Sequence, residues 1–288
     1  MRVLIANLWQ VFKLRISFAI MLCALAGMAV TPGNKPEGWQ LALLALAVLL
    51  SAASAGAFNH YIERDLDARM ARTRGRPFVT GVFAAGPLWL AIIVAVLVLA
   101  VATAGLSTNW VAAFYVFLGA FVYGVVYTIW LKRRSWLNIV LGGLAGSFAV
   151  LAGAAAVAPN LAPVPLILAL VLFLWTPPHF WSLATLLYDD YRQAGVPMLP
   201  VVVGKAKAAW IILAHTVALV VLSFVPYLYG MGPLYLLGAA SGGFYFIWKC
   251  VLLVRSPDTV AARGAFRASL VQLTLLLLAA MADAWLAA

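Results

Sequence analysis

Nine runs of about twenty apolar residues divide this 288-residue chain, at about 16–31, 39–58, 88–106, 110–131, 137–157, 165–187, 208–228, 233–254 and 266–287. At 1.5 Å per residue, a helix of roughly twenty residues crosses the roughly 30 Å of hydrocarbon in a bilayer. Hydrocarbon offers the backbone no water to bond, so each run must be a helix. The chain is 66% hydrophobic and only 9% charged, with a mean hydropathy of +1.05, outside the range of soluble domains. The pattern predicts an all-α, polytopic membrane protein: a nine-transmembrane-helix bundle forming one domain over residues 1–288. Turn residues punctuate it at Pro32-Gly33-Asn34, at 105–109 and at 159–165. The basic-then-apolar start is like a signal peptide, but no small-residue cleavage site and polar mature domain follow. It reads as a retained first span. Cys23 and Cys250 lie in apolar runs and read as core residues.

The net charge of +11 has a membrane explanation. With the N-terminus inside, the inner face receives Arg2, Lys13, Arg15, the arginines from 64 to 76, Lys132-Arg133-Arg134, Arg192, Lys205, Lys207, Lys249, Arg255, Arg263 and Arg267. Only Lys35 falls outside. This asymmetry predicts a cytoplasmic N-terminus, an external C-terminus and an odd number of spans. The basic residues are scattered over loop ends and form no stripe, which excludes nucleic acid as a partner.

The same orientation puts two acidic clusters at the cytoplasmic mouth. The first is Asn59-His-Tyr-Ile-Glu63-Arg-Asp65-Leu-Asp67, followed by Arg72-Thr-Arg-Gly-Arg76. If the second span continues through it, Asn59, Glu63 and Asp67 fall at i, i+4 and i+8 on one face, and Asp65 points elsewhere. Such oxygens suit Mg²⁺, which keeps several waters and favours one or two carboxylates plus substrate phosphates. Arg72 and Arg76 offer forked donors to phosphate oxygens. A solvated loop of paired charges is the plainer reading. The helical spacing, and the start at a span's end, count against it.

The second cluster, Asp189-Asp190, follows a span reading Trp175-Thr-Pro177-Pro178-His179-Phe-Trp181. Two prolines within a span imply a kink or a cavity lining. An ionisable group at membrane depth is a functional candidate. His179 is such a group: an axial ligand, an acid–base group or a histidine bonded to a neighbouring helix. His215 lacks comparable neighbours and reads as structural. Lys132 and Arg133 read equally as topology anchors or diphosphate donors, and Arg134 as an anchor. The glycines at 142, 143 and 146 and the run Ala152-Gly-Ala-Ala-Ala156 read as close helix packing, with room for a bulky substrate as the minority view.

Taken together, two acid-rich motifs at the inner ends of helices two and six of a nine-span bundle resemble the UbiA-type intramembrane prenyltransferases. The first motif, Tyr127-Thr-x-Trp-Leu-Lys-Arg-Arg, Trp175-x-Pro-Pro-His-Phe-Trp and Asp189-Asp-Tyr-Arg-x-Ala-Gly-Val-Pro-Met-Leu-Pro200 are similar to the heme-farnesylating branch of that family. Lys13-Leu-Arg15 is a weaker echo. The chain departs from the pattern at Leu14, Leu187-Tyr188 and Glu63. The resemblance implies farnesyl diphosphate and heme B as substrates, heme O as product, and Mg²⁺ on Glu63, Asp67, Asp189 and Asp190, with Asn59 joining the catalytic set. It implies Arg72, Arg76, Lys132 and Arg133 on the diphosphate, and His179, Trp175 and Trp181 around the heme. A bacterial inner membrane and a downstream heme-modifying enzyme or oxidase assembly factor as partner are further implications. Competing readings are a prenyltransferase for a quinone precursor or chlorophyllide, and a transporter. A transporter should carry ionisable groups near the midplane of several helices, whereas these carboxylates gather at one face.

Overall fold

The computed structural model describes residues 2–287, and among them every regular element is helical. Eight helical stretches are long and apolar enough to cross a membrane: Gly38–Ile62, Pro87–Ser107, Trp110–Leu131, Asn138–Val157, Pro163–Leu186, Lys205–Leu228, Pro233–Arg255 and Thr259–Leu286. Helices α1 (Arg2–Val11) and α2 (Leu14–Ala29) meet at a 52° bend and make a ninth span if taken as one. The bend falls at Lys13, whose backbone is left-handed with φ 47°. The first apolar run begins at about residue 16, so helix α1 lies ahead of it.

Helix α3 (Gly38–Ile62) leads into a single turn, α4 (Arg64–Asp67), and then a loop to α5 (Pro87–Ser107). Phe78, Phe83 and Trp89 pin that loop, with ring centroids 5.3 Å apart for Phe78–Trp89 and 4.9 Å for Phe83–Trp89. The fourth span starts as α6 (Trp110–Phe121), capped by the Asn109 side chain, and continues as a π-helix over Val122–Leu131. The fifth divides at Gly143 into α7 (Asn138–Gly142) and α8 (Leu144–Val157). Then come α9 (Pro163–Leu186), α10 (Tyr188–Gln193), α11 (Leu199–Val203), α12 (Lys205–Leu228), α13 (Pro233–Arg255) and α14 (Thr259–Leu286). Helix α14 begins ahead of its apolar run because Asp258 caps it, accepting from Val260 N at 2.9 Å and Ala261 N at 2.8 Å. Helix α9 stays helical through Pro177 and Pro178.

Helix ends at the face opposite the acidic clusters are satisfied by charged side chains. Asp283 of α14 accepts from Gly232 N at 2.6 Å and Tyr235 N at 3.2 Å, capping α13. Lys35 donates to the Met28, Ala29 and Thr31 carbonyls where α2 stops. Both supply partners that terminal peptide groups otherwise lack.

Small residues bring helices together, as the packing reading expected. A Cβ on Gly153 would sit 1.8 Å from the Ala24 carbonyl oxygen, and one on Gly27 would sit 2.1 Å from that of Val150. Helices α2 and α8 therefore touch backbone to backbone, and Ala24, Ala26, Ala152 and Ala154 beside them are fully buried. Gly153→Val is expected to destabilise the bundle by about 1–3 kcal/mol or more, the usual cost of overpacking. Thermal unfolding in detergent measures it, and an unchanged midpoint would refute the close approach.

Candidate active site

The site begins where α3 ends. Glu63 leaves helical geometry at φ −91°, ψ 10°. Its N–H still bonds the Asn59 carbonyl at 3.0 Å, and the Asp67 N–H bonds the Glu63 carbonyl at 2.8 Å. The i, i+4, i+8 register therefore survives the break, and Asn59, Glu63 and Asp67 are all buried, at 2%, 0% and 2% exposure.

Buried carboxylates need counter-charges. Lys132 pairs with Glu63, and Arg76 Nη1 lies 2.6 Å from Asp67 Oδ2. Lys13 Nζ donates to Asn59 Oδ1 at 2.5 Å and to Tyr123 OH at 3.0 Å. Three basic side chains thus gather around two buried carboxylates, and Lys13 alone pairs with neither of them. Lys13 gets there because its left-handed turn throws the side chain across α3 at Gly56, where an added Cβ would meet it at 3.2 Å. Asn59 Nδ2 donates to Thr128 Oγ1 at 3.0 Å. Thr128 Oγ1 in turn donates to the Tyr123 carbonyl at 2.8 Å. The π-helix presents Tyr123, Tyr127 and Thr128 to this cluster, and the Tyr123 and Tyr127 rings stack 5.4 Å apart. Such segments frequently mark functional sites.

Other expected residues fall elsewhere. Arg133 is bidentate with Asp65, at 2.7 and 2.8 Å, and the two side chains are 42% and 53% exposed. Those Arg133 hydrogen bonds pull the Asp65 carboxyl down to about 2, so it is ionised at any working pH. Arg134 is exposed and donates to the Trp130 carbonyl at 3.4 Å, as an anchor would. Arg72 is exposed on the loop that carries Arg76. Asp189 is exposed and Asp190 half-buried in α10, and Lys205 lies 4.6 Å over the neighbouring Tyr188 ring. Consecutive antiparallel spans put α10 and α4 at the same end. Even so, among the described residues no group of three or more His, Cys, Asp or Glu gathers closely enough to hold a metal ion. The expected ligand set is thus not assembled. Its first half fits a hard cation: Glu63 Oε1 is a buried oxygen with no hydrogen-bond partner, beside a second buried carboxylate.

His179 sits in α9 with its ring between those of Trp175, at 4.2 Å and 18°, and Phe266, at 4.7 Å and 28°. Its Nδ1 is 2.6 Å from Ser269 Oγ on α14, and Trp175 Nε1 donates to the Ser269 carbonyl at 2.9 Å. Trp181 is not part of this group. It is 1% exposed and meets His215 edge-on at 5.1 Å, because two helical positions turn it to the opposite side of α9. His215 Nδ1 donates to the Ile211 carbonyl at 3.0 Å, a structural role. His60 is buried at 2% exposure, with Nδ1 unpartnered.

Four polar residues drew no functional reading from the sequence. Lys13 counted only as a topological charge, although the Lys13-Leu-Arg15 echo marked it. Tyr123 and Ser269 left no signal. Nor did Gln272, which is fully buried in α14 with neither amide atom partnered.

A membrane-embedded helical bundle with a buried acid–cation cluster at one mouth defines the class, and sequence comparison agrees. Residues 20–282 match the UbiA prenyltransferase family, and the chain belongs to it. Among its relatives, Protoheme IX farnesyltransferase 2 of Paramagnetospirillum magneticum is 61% identical over 278 residues, covering 96% of each chain. Protoheme IX farnesyltransferase 1 of the same organism is 50% identical, covering 95% of this chain and 96% of the relative. The protoheme IX farnesyltransferase of Parvibaculum lavamentivorans is 41% identical, covering 88% of this chain and 80% of the relative. Solved structures share the fold. A digeranylgeranylglyceryl phosphate synthase superposes with a TM-score of 0.79 at 19% identity, covering 97% of this chain and 98% of that one. A UbiA homolog from Archaeoglobus fulgidus bound to DMAPP and Mg²⁺ superposes at 0.72 and 16% identity, covering 96% and 99%.

Proposed function

We propose that this chain transfers the farnesyl group of farnesyl diphosphate to a vinyl group of heme B, giving heme O. One observation carries the donor half: two buried carboxylates ringed by three basic side chains at the mouth of an apolar bundle. The acceptor half rests on the names that its relatives carry.

The cations do two jobs in sequence. Before substrate binds, Lys13, Arg76 and Lys132 neutralise the first motif. A bound diphosphate then draws them onto its oxygens, and Arg72 and Arg133 join from the loops. Mg²⁺ would be held by Glu63 and Asp67, with Asn59, Asp189 and Asp190 completing the set around bound diphosphate, and it supplies positive charge that eases departure of the diphosphate. The allylic C–O bond breaks and the diphosphate leaves with the electron pair. Charge stabilisation by preorganised donors at that oxygen is the largest contribution the protein makes. The apolar helices exclude water from the farnesyl cation. The vinyl π electrons form the new C–C bond, and water adds to the resulting cation and loses a proton, completing the hydroxyethylfarnesyl group. His179 and Trp175 line the acceptor side; Trp181 faces away and has no part in it.

The charge asymmetry supports a cytoplasmic N-terminus and an external C-terminus, and we take the membrane to be a bacterial inner membrane. We take residues 1–288 as one domain, and the product as passing to a downstream heme-modifying enzyme or an oxidase assembly factor. Pigment analysis of membranes with and without the chain tests the reading. Heme O is expected only when the chain is present, and its absence would overturn the assignment.

A further inference from the structure

The acceptor side holds its histidine in a defined state. Ser269 Oγ has one proton, and the Phe266 carbonyl, which can only accept, lies 2.7 Å from it. The 2.6 Å contact between Ser269 Oγ and His179 Nδ1 therefore has Nδ1–H as donor. That leaves Nε2 unprotonated, with its lone pair in the ring plane. Nε2 has no hydrogen-bond partner among the described residues, and it is not one of the enclosed atoms that lack one, unlike His60 Nδ1 and Trp181 Nε1. Trp175 and Phe266 cover both faces of the ring, so only its edge is open. The same serine accepts Trp175 Nε1–H on its carbonyl, which ties one side of the sandwich to the residue that sets the tautomer.

We propose that Ser269 is a positioning residue that locks His179 in the Nδ1–H tautomer and so presents the Nε2 lone pair to the iron of the acceptor porphyrin. This rests on the reading of heme B as acceptor. A metal-bound imidazole characteristically donates its other N–H to a fixed acceptor, which sets ring orientation and raises ligand basicity. Here that acceptor is a hydroxyl on a different helix, fully buried at 0% exposure. Coordination at this depth, about 10 Å along α9 from its C-terminal end by helix rise, fixes the macrocycle relative to the diphosphate cluster. Which vinyl group faces the allylic carbon is then set by α9 and α14 together.

The test is a heme B titration of purified protein in detergent, read by optical absorption and electron paramagnetic resonance. It compares wild type, Ser269→Ala, Ser269→Thr and His179→Ala, with farnesyl diphosphate binding measured on each. Wild type is expected to give an imidazole-ligated iron spectrum, and His179→Ala to lose it. Ser269→Ala is expected to bind heme B about tenfold or more weakly, with an altered spectrum, as loss of such outer partners usually does. Ser269→Thr keeps the hydroxyl and should restore the wild-type spectrum. All four should bind farnesyl diphosphate alike, which shows that they are folded. Wild-type heme affinity and spectrum in Ser269→Ala, or in His179→Ala, would overturn the proposal. A wild-type protein that binds farnesyl diphosphate but no heme B would instead overturn the acceptor reading beneath it.

Discussion

Asp67→Asn is expected to reduce prenyl transfer by about 10²–10³-fold or more, the loss typical when one preorganised electrostatic contact to the reacting group is removed. The residue is 2% exposed and pairs with Arg76 at 2.6 Å. The substitution removes a carboxylate oxygen from the first motif and leaves Arg76, whose side chain is only 13% exposed, without its counter-charge. Breaking a buried pair from one side costs about 3–5 kcal/mol. Thermal unfolding in detergent should therefore fall along with activity. Added diphosphate should raise the midpoint more in the variant than in wild type, because the anion supplies the missing charge and binds only the folded state. Wild-type consumption of labelled farnesyl diphosphate by Asp67→Asn would remove the first motif from the mechanism.

Lys132→Ala should be nearly as damaging, and Arg133→Ala clearly less so. Lys132 neutralises Glu63, which has 0% exposure and an unpartnered second oxygen. Without the lysine, a buried carboxylate stands uncompensated, at about 3–5 kcal/mol, and the leaving diphosphate loses a donor. Arg133 engages Asp65 in solvent, a kind of pair worth about 0.2–1 kcal/mol. Adjacent residues that look interchangeable in the sequence should therefore differ several-fold in both stability and turnover. Equal losses in the two variants, measured side by side, would show that the loop rearranges and that the resting pairing does not identify the working residue.

Much of this architecture is legible in the chain because hydrocarbon leaves so little choice. Twenty apolar residues must be a helix, and the basic loops mark one face. The spacing of Asn59, Glu63 and Asp67 was readable for a stronger reason than helix continuity. The helix breaks at Glu63, yet the two hydrogen bonds spanning the break keep the residues in register. What escaped depends on tertiary contacts or rare backbone states. Nothing in Val122–Leu131 announces a π-helix, and nothing at Lys13 announces a left-handed turn that carries it inward. His179 stood out as an ionisable group at membrane depth, but Ser269, ninety positions away in sequence, is joined to it only by the packing of α14 on α9. Trp181 shows the opposite lesson. Two residues along a helix is about 200°, so its exclusion from the group around His179 was already implied by helix geometry.

The choice of acceptor separates this chain from other prenyltransferases of its fold. Purified chain in lipid vesicles, given labelled farnesyl diphosphate with Mg²⁺ and equal heme B and 4-hydroxybenzoate, tests it most directly, with products resolved by mass. Label is predicted in a heme whose mass has grown by one farnesyl group and one hydroxyl, with none in the benzoate. Label in the prenylated benzoate, with heme B unchanged, would contradict it.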